Sequence, residues 1–233
     1  MIKMKSAILG GQLPKFIDPP QMDGDSKAPV IQTALDAVRQ MRSGGDGCRF
    51  STLHFLTICN SAVTILDKIG PTMRVLTQDL RQNIERLQTM YKTNPSSFSS
   101  LTEIVKEEIE EGSARKPLSC TRAVLWLTRS MDFVMIFLSK FVADADRDLV
   151  QIIEESYSAT LQPWHGWISS AAYKVALKLI PERKVLMNLI MEEREDHGAI
   201  KEEINSLVSS FTPILNEIHA FLVTLRLDRL KSS

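Results

Sequence analysis

The side chains of this sequence that could do chemistry sit in three short runs, each mixing polar groups with apolar neighbours. In MRVLTQDLRQNIERLQTM, read as a helix at about 100° per residue, Asp79, Asn83 and Arg86 fall within roughly a 60° sector. Leu76, Leu80, Ile84 and Leu87 lie immediately beside it. An anion, an amide and a cation together offer acceptors and donors to a ligand rich in hydroxyls. The same spacing also suits an ordinary helix surface with local pairing, worth only about a few tenths of a kcal/mol. In SCTRAVLWLTRSMDFVMIFLSKF, the side chains of Arg122, Trp126, Arg129 and Phe133 share one narrow sector. Tryptophan between cations provides a stacking platform for a sugar or base, and arginine grips a carboxylate or phosphate through its planar fork. A core tryptophan with structural cation–π pairs fits the spacing equally well. The third run, LQPWHGWISSAAYKVALKLIP, has Pro163 where the first turn of a helix accepts it. His165 is either a satisfied core histidine or a donor to a polar ligand. Trp164 and Trp167 are amphipathic side chains that suit either a core or a bilayer interface.

None of these runs supplies an enzyme. HExxH, paired CxxC, GxGxxG, GxxxxGK and GxSxG are all absent from the sequence. His54, His165, His197 and His219 lack metal-ligand spacing. Asp79 and His165 could form an acid–base pair, but no activated nucleophile accompanies them. The expectation is a binding protein with no catalytic residues, no metal and no other cofactor.

Composition narrows the class further. Lysine plus arginine number 28 and aspartate plus glutamate number 28, so the net charge gives no general reason to expect a nucleic-acid partner. Of 233 residues, 44% are hydrophobic and 24% charged, enough for one sizeable core. Cys48, Cys59 and Cys120 fit neither a disulfide framework nor a zinc site and read as reduced thiols. No apolar run approaches the roughly 20 residues needed to span a bilayer. The start, MIKMKSAILGGQLP, is too briefly apolar for a secretory signal. A cytosolic setting is therefore expected.

The elements that must position the three runs are helical throughout. Residues 1–28, rich in proline, glycine and polar groups, read as a flexible arm, followed by a single domain over 29–228. From Val30 to Met41 apolar residues recur at helical spacing, and SGGDG at 43–47 stops the helix. Helical patterns follow at 50–68 and, after Gly70-Pro71, at about 72–91. KTNPSSFSS then opens a helix whose TEIVKEEIEEG run supplies an acidic, solvated side. Further patterns cover 118–145, 147–160, 163–179, 182–192 and 195–227. Apolar stripes on so many helices require helix-on-helix packing, while the layer arrangement does not follow from periodicity.

At these runs the chain resembles the glycolipid transfer protein family, which also contains ceramide-1-phosphate carriers. The anchors, in order, are FLTICNSAVTILDKIG, DLRQNIERL, YKTNP, AVLWLTRSMDF, the particularly specific WHGWI, and LKLIP. The resemblance extends over roughly residues 30–192, with weaker correspondence towards the C-terminus. The resemblance implies an all-α, two-layer sandwich of about eight helices around a hydrophobic lipid pocket. It also implies a polar recognition centre at Asp79, Asn83, Trp126 and His165, with Arg86 where glycolipid carriers usually have lysine. In that family the aspartate and asparagine bind sugar hydroxyls or the amide region, and the tryptophan lies beneath the first sugar. The histidine bonds to the ceramide amide oxygen, and Trp167 matches a residue that touches the membrane, with Trp164 as its helper.

One departure bears on cargo. Arg122 matches an arginine of the phosphate-selective branch, which normally also carries cations where Trp126 and Asn83 stand here. The expectation is a transiently membrane-associated monomer that carries a simple glycosphingolipid such as a monohexosylceramide. A ceramide-1-phosphate carrier is the runner-up, and a glycolipid sensor or interaction module is the alternative of a different class. Carriage needs no chemistry. Exposing a lipid tail to water costs roughly 0.8 kcal/mol per CH₂, and a preformed apolar pocket offsets that cost.

Overall fold

The computed structural model describes residues 28–43, 50–192 and 194–230. The arm expected over 1–28 lies, Ala28 apart, outside the described residues, as do Cys48 and all of the 43–47 stop except Ser43. Nine α-helices stand among the described residues, one for each helical pattern of the sequence: α1 Val30–Ser43, α2 Thr52–Ile69, α3 Arg74–Thr93, α4 Leu101–Glu110, α5 Cys120–Ala143, α6 Leu149–Thr160, α7 Trp167–Leu177, α8 Arg183–Met191 and α9 His197–Thr224. They form an all-α two-layer sandwich. Among the described residues strand-like pairing is confined to one antiparallel bridge, Ser51 with Ser100. It ties the start of α2 to the start of α4, with Thr52 N donating to Ser99 O and Leu101 N to Phe50 O.

Helix starts follow local chemistry. Ser51, Ser100, Ser119, Asp148 and Asp196 each accept a backbone N–H in the first turn of the helix they precede. Such caps contribute about 1 kcal/mol apiece. Gly70 adopts φ 117°, a region closed to most side chains, and Pro71 then begins a single 3₁₀ turn that launches α3. The third run departs from expectation. Its helix begins at Trp167, capped by Gly166, so Pro163 and His165 belong to the turn before α7 and not to its first turn.

Helix α5 is the hub, packed against α3, α4, α6 and α9. Its apolar positions are buried nearly all round, Ala123, Leu125, Leu127 and Met131 included. The acidic run of α4 corrects one expectation, because Glu108 is only 7% exposed. Its two carboxylate oxygens accept Cys120 N and Thr121 N at 2.7 Å each. A helix N-terminus carries unsatisfied donors and partial positive charge, so a carboxylate is stable there even when buried. This contact sets where α5 begins and therefore where Arg122 and Trp126 stand. Helix α9 closes the other side of α5 and also packs on α1, and its Phe211 lies 6.4 Å from Phe55 of α2 between ring centroids. Cys59 and Cys120 are buried and free, and burial pushes both thiols up, Cys120 to about 12. At neutral pH both are protonated and inert.

Candidate functional site

A cavity of about 530 Å³ opens between α2, α3, α5, α6, α7 and α8. Asp79, Asn83 and Arg86 of α3 line it, as do Arg122 and Trp126 of α5 and His165. These are six of the residues singled out in the sequence, brought to one wall from three separate segments. Most of the remaining lining is apolar, with Ile65 and Leu66 from α2, Phe133 and Phe137 from α5, and Leu186 and Ile190 from α8. One space thus joins hydrogen-bonding groups to hydrocarbon.

Helical spacing explains the polar wall. Asn83 Nδ2 donates to the Asp79 carbonyl, and Arg86 Nη1 donates to Asn83 Oδ1 at 3.1 Å. The amide is oriented by its neighbours on both turns. Cys120 Sγ contacts the Arg86 carbonyl at 3.7 Å and so pins the first turn of α5 beside this stretch of α3. Burial raises the Asp79 carboxyl above its ordinary value. Its side chain remains exposed to solvent, a charged acceptor open to ligand hydroxyls.

His165 lies 5.6 Å from Trp126 between ring centroids. Its Nδ1 is 3.1 Å from the Tyr157 hydroxyl. Burial lowers the imidazole's pKa, and the charge of Arg129 lowers it further, which keeps the ring neutral at physiological pH. When Tyr157 donates to Nδ1, the proton resides on Nε2, which becomes a donor to whatever the cavity holds. A carbonyl or hydroxyl oxygen is the fitting partner.

Arg129 departs from the sector it shares in the sequence with Arg122 and Trp126. It is 2% exposed and turns away into a second cavity, of about 610 Å³, between α5, α6 and α9. There it donates to the Leu230 carbonyl at 2.8 Å and to the Asp228 carbonyl. Its guanidinium stands 3.8 Å from the Trp164 ring centroid and 4.9 Å from that of Trp126. Burial pulls its pKa down to about 10, the Asp228 and Asp132 carboxylates oppose that shift, and Arg122 adds to it. The cation therefore persists, as a strut beneath the Trp126 platform. The structure also gives Trp164 an environment unlike Trp167's: it is half-buried and faces this second cavity. Trp167 is 81% exposed on α7. Ile168 and Val175 of α7, and Leu179 just past its end, are exposed beside it. Lys174 and Lys178 lie on the same stretch.

Two wall residues escaped the sequence reading, Tyr157 and Tyr173. Both line the cavity, and their rings stack with centroids 3.5 Å apart and planes at 8°. The available signal was a tyrosine eight residues to either side of His165, the second within the helical stripe Ser169, Tyr173, Ala176 and Ile180.

Comparison with known proteins is decisive for the family. Residues 50–192 match the family model described as Glycolipid transfer protein (GLTP). Glycolipid transfer protein 3 of Arabidopsis thaliana is 48% identical over 177 residues, which are 76% of either chain. The chain belongs to the glycolipid transfer protein family. Among solved structures, this family member resembles FAPP2, described as selecting simple glycosphingolipids using the GLTP fold. The TM-score is 0.69 and the identity 26%, over 78% of this chain and 90% of that one. It also shares its fold with human ceramide-1-phosphate transfer protein in complex with 12:0 ceramide-1-phosphate. There the TM-score is 0.75 and the identity 16%, over 87% of this chain and 99% of that one. Sugar and phosphate cargoes thus both occur on this fold.

Proposed function

We propose that this protein carries a simple glycosphingolipid such as a monohexosylceramide between membranes, without covalent chemistry. Asp79, Asn83 and Arg86 would read sugar hydroxyls, with the sugar resting on Trp126. His165 would meet the ceramide amide, and the tails would lie among the apolar side chains of α2, α5 and α8. The observation that carries the reading is the single cavity in which this polar wall continues into hydrocarbon lining. The direct test is tail-labelled monohexosylceramide moved from donor to acceptor vesicles, run beside simple vesicle binding. Transfer above the spontaneous rate supports a carrier. Binding of the lipid without transfer points to a sensor or interaction module.

A second cargo has a specific observation behind it. Arg122 lines the same cavity as Arg86, giving it two guanidinium groups against one carboxylate. Ceramide-1-phosphate would use both. Asp79 argues the other way, because a carboxylate in the headgroup wall repels a phosphate.

The membrane contact belongs to the same proposal, as do a monomeric state and a cytosolic setting. None of the described helices is long and apolar enough to cross a membrane. The exposed stripe beginning at Trp167, with lysines beside it, fits a helix lying at a bilayer surface. Burying ~40 Å² of the indole contributes about 1 kcal/mol. The Trp167→Ala variant is therefore expected to partition onto vesicles about fivefold more weakly than its parent. It should transfer more slowly while keeping the same headgroup preference. Unchanged partitioning in a vesicle sedimentation assay would remove this role from Trp167.

A further inference from the structure

Headgroup recognition leaves the Tyr173 hydroxyl of the cavity wall unused. The Tyr173 hydroxyl oxygen is buried and has no hydrogen-bonding partner among the described residues. Buried phenols normally find one, since an orphaned hydroxyl is costly. The ring is well held nonetheless, flat against Tyr157. Tyr157 contacts His165 Nδ1, and His165 faces Trp126. A continuous row, Trp126, His165, Tyr157 and Tyr173, therefore leads from the headgroup platform along the wall. It ends on the α7 stripe that reaches Ala176, with Ile180 lining the cavity just past the helix end. Burial pushes the Tyr173 phenol up to about 12, with the Glu154 carboxylate adding to the shift. At neutral pH it keeps a proton to donate as well as lone pairs to accept with.

We infer that Tyr173 reads a hydroxyl added to the ceramide close to its amide, beyond the 3-hydroxyl that every sphingoid base carries: on the second carbon of the acyl chain or on the fourth carbon of the base. The inference rests on the carrier reading above, in which His165 meets the amide. Tyr173, two rings further along and stacked on Tyr157, then meets the carbons near that amide. Plain hydrocarbon at that point leaves the phenol oxygen unsatisfied, and phenylalanine would fill the same shape without the penalty. A lipid hydroxyl there gives the oxygen its partner. Tyr173 thus adds a second selection, for the ceramide body, to the first selection for the headgroup.

The test compares three monohexosylceramides of equal chain length: one with an unsubstituted acyl chain, one with a 2-hydroxy acyl chain, and one with an additional hydroxyl on the base. The parent protein should transfer one of the two hydroxylated lipids about tenfold better than the plain one, in line with a satisfied buried hydroxyl. Which of the two gains identifies the hydroxyl that is read. Tyr173→Phe, which removes one oxygen and keeps the stack on Tyr157, should bring that lipid down to the level of the plain one. It should move the plain lipid at least as well as the parent does. Equal handling of all three lipids by the parent overturns the inference, as does a preference that survives in Tyr173→Phe. The same series built on ceramide phosphate separates this inference from the headgroup reading. A hydroxyl preference seen only among phosphates would sink the sugar cargo and keep the role of Tyr173. Efficient sugar-lipid transfer blind to the hydroxyl would do the reverse, and failure to move any lipid of either series overturns both.

Discussion

Replacing Asp79 with valine is expected to cut monohexosylceramide transfer by at least about tenfold, because hydroxyls buried without their acceptor cost about 1–3 kcal/mol. Helical content should stay near that of the parent. Asp79 lines the cavity with its backbone carbonyl accepting from Asn83 Nδ2, and its side chain is exposed. Its carboxyl is raised by burial. A group whose folded-state pKa lies above its unfolded value contributes stability that is present below the unfolded pKa and lost as pH rises. At neutral pH the ionised Asp79 therefore costs stability. Asp79→Val should melt at the parent's temperature or slightly above it, and that temperature should fall less than the parent's on going from acidic to neutral pH. Loss of transfer together with undiminished thermal stability marks a residue kept for ligand binding. Transfer at the parental rate by a folded Asp79→Val protein would remove the aspartate from the site.

Truncating Trp126 to alanine should act at least as strongly, through two losses at once. The platform under the sugar disappears, and so does one of the two rings that hold the Arg129 guanidinium. His165 also loses its aromatic neighbour at 5.6 Å. Trp126 is half-buried, so the stability cost should sit below the 3–5 kcal/mol range of fully buried aromatics, at about 2 kcal/mol. That corresponds to a melting temperature lower by about 4–8 °C for a chain of this size. Transfer measured well below that transition should still fall by more than about tenfold. Trp126→Phe, which keeps an aromatic face, should recover most of the stability and part of the transfer. A Trp126→Ala protein that moves monohexosylceramide normally would mean that the sugar rests elsewhere.

These residues were legible in the sequence because helical spacing alone places them side by side. Asp79, Asn83 and Arg86 fall on successive turns of α3, as Arg122 and Trp126 do on α5, and both sets do line the cavity. Apolar periodicity likewise placed a long helix over 118–145, and it is the hub. What spacing cannot encode is the partner supplied from far along the chain. Arg129 shares a sector with Trp126, yet carbonyls about a hundred residues away, at Asp228 and Leu230, draw it to the opposite side. Glu108 reads as one of several solvated acids until the first turn of α5 arrives to meet it. Trp164 and Trp167 look equivalent within WHGWI. Arg129 stacks on the first and leaves the second in solvent. Tyr173 sits in a mostly apolar stripe, and only the folded cavity shows that its oxygen has no partner among the described residues.

The central claim is that the cavity is built to hold a sugar-bearing sphingolipid and release it to another membrane. The most direct measurement gives the parent protein donor vesicles holding equal amounts of monohexosylceramide and ceramide-1-phosphate, and follows both lipids into acceptor vesicles. The account predicts that the sugar lipid is carried preferentially and that Asp79→Val abolishes this preference, while Arg122→Leu leaves it largely intact. Preferential carriage of ceramide-1-phosphate, insensitive to Asp79→Val and lost in Arg122→Leu, would contradict it and assign this cavity to the phosphate.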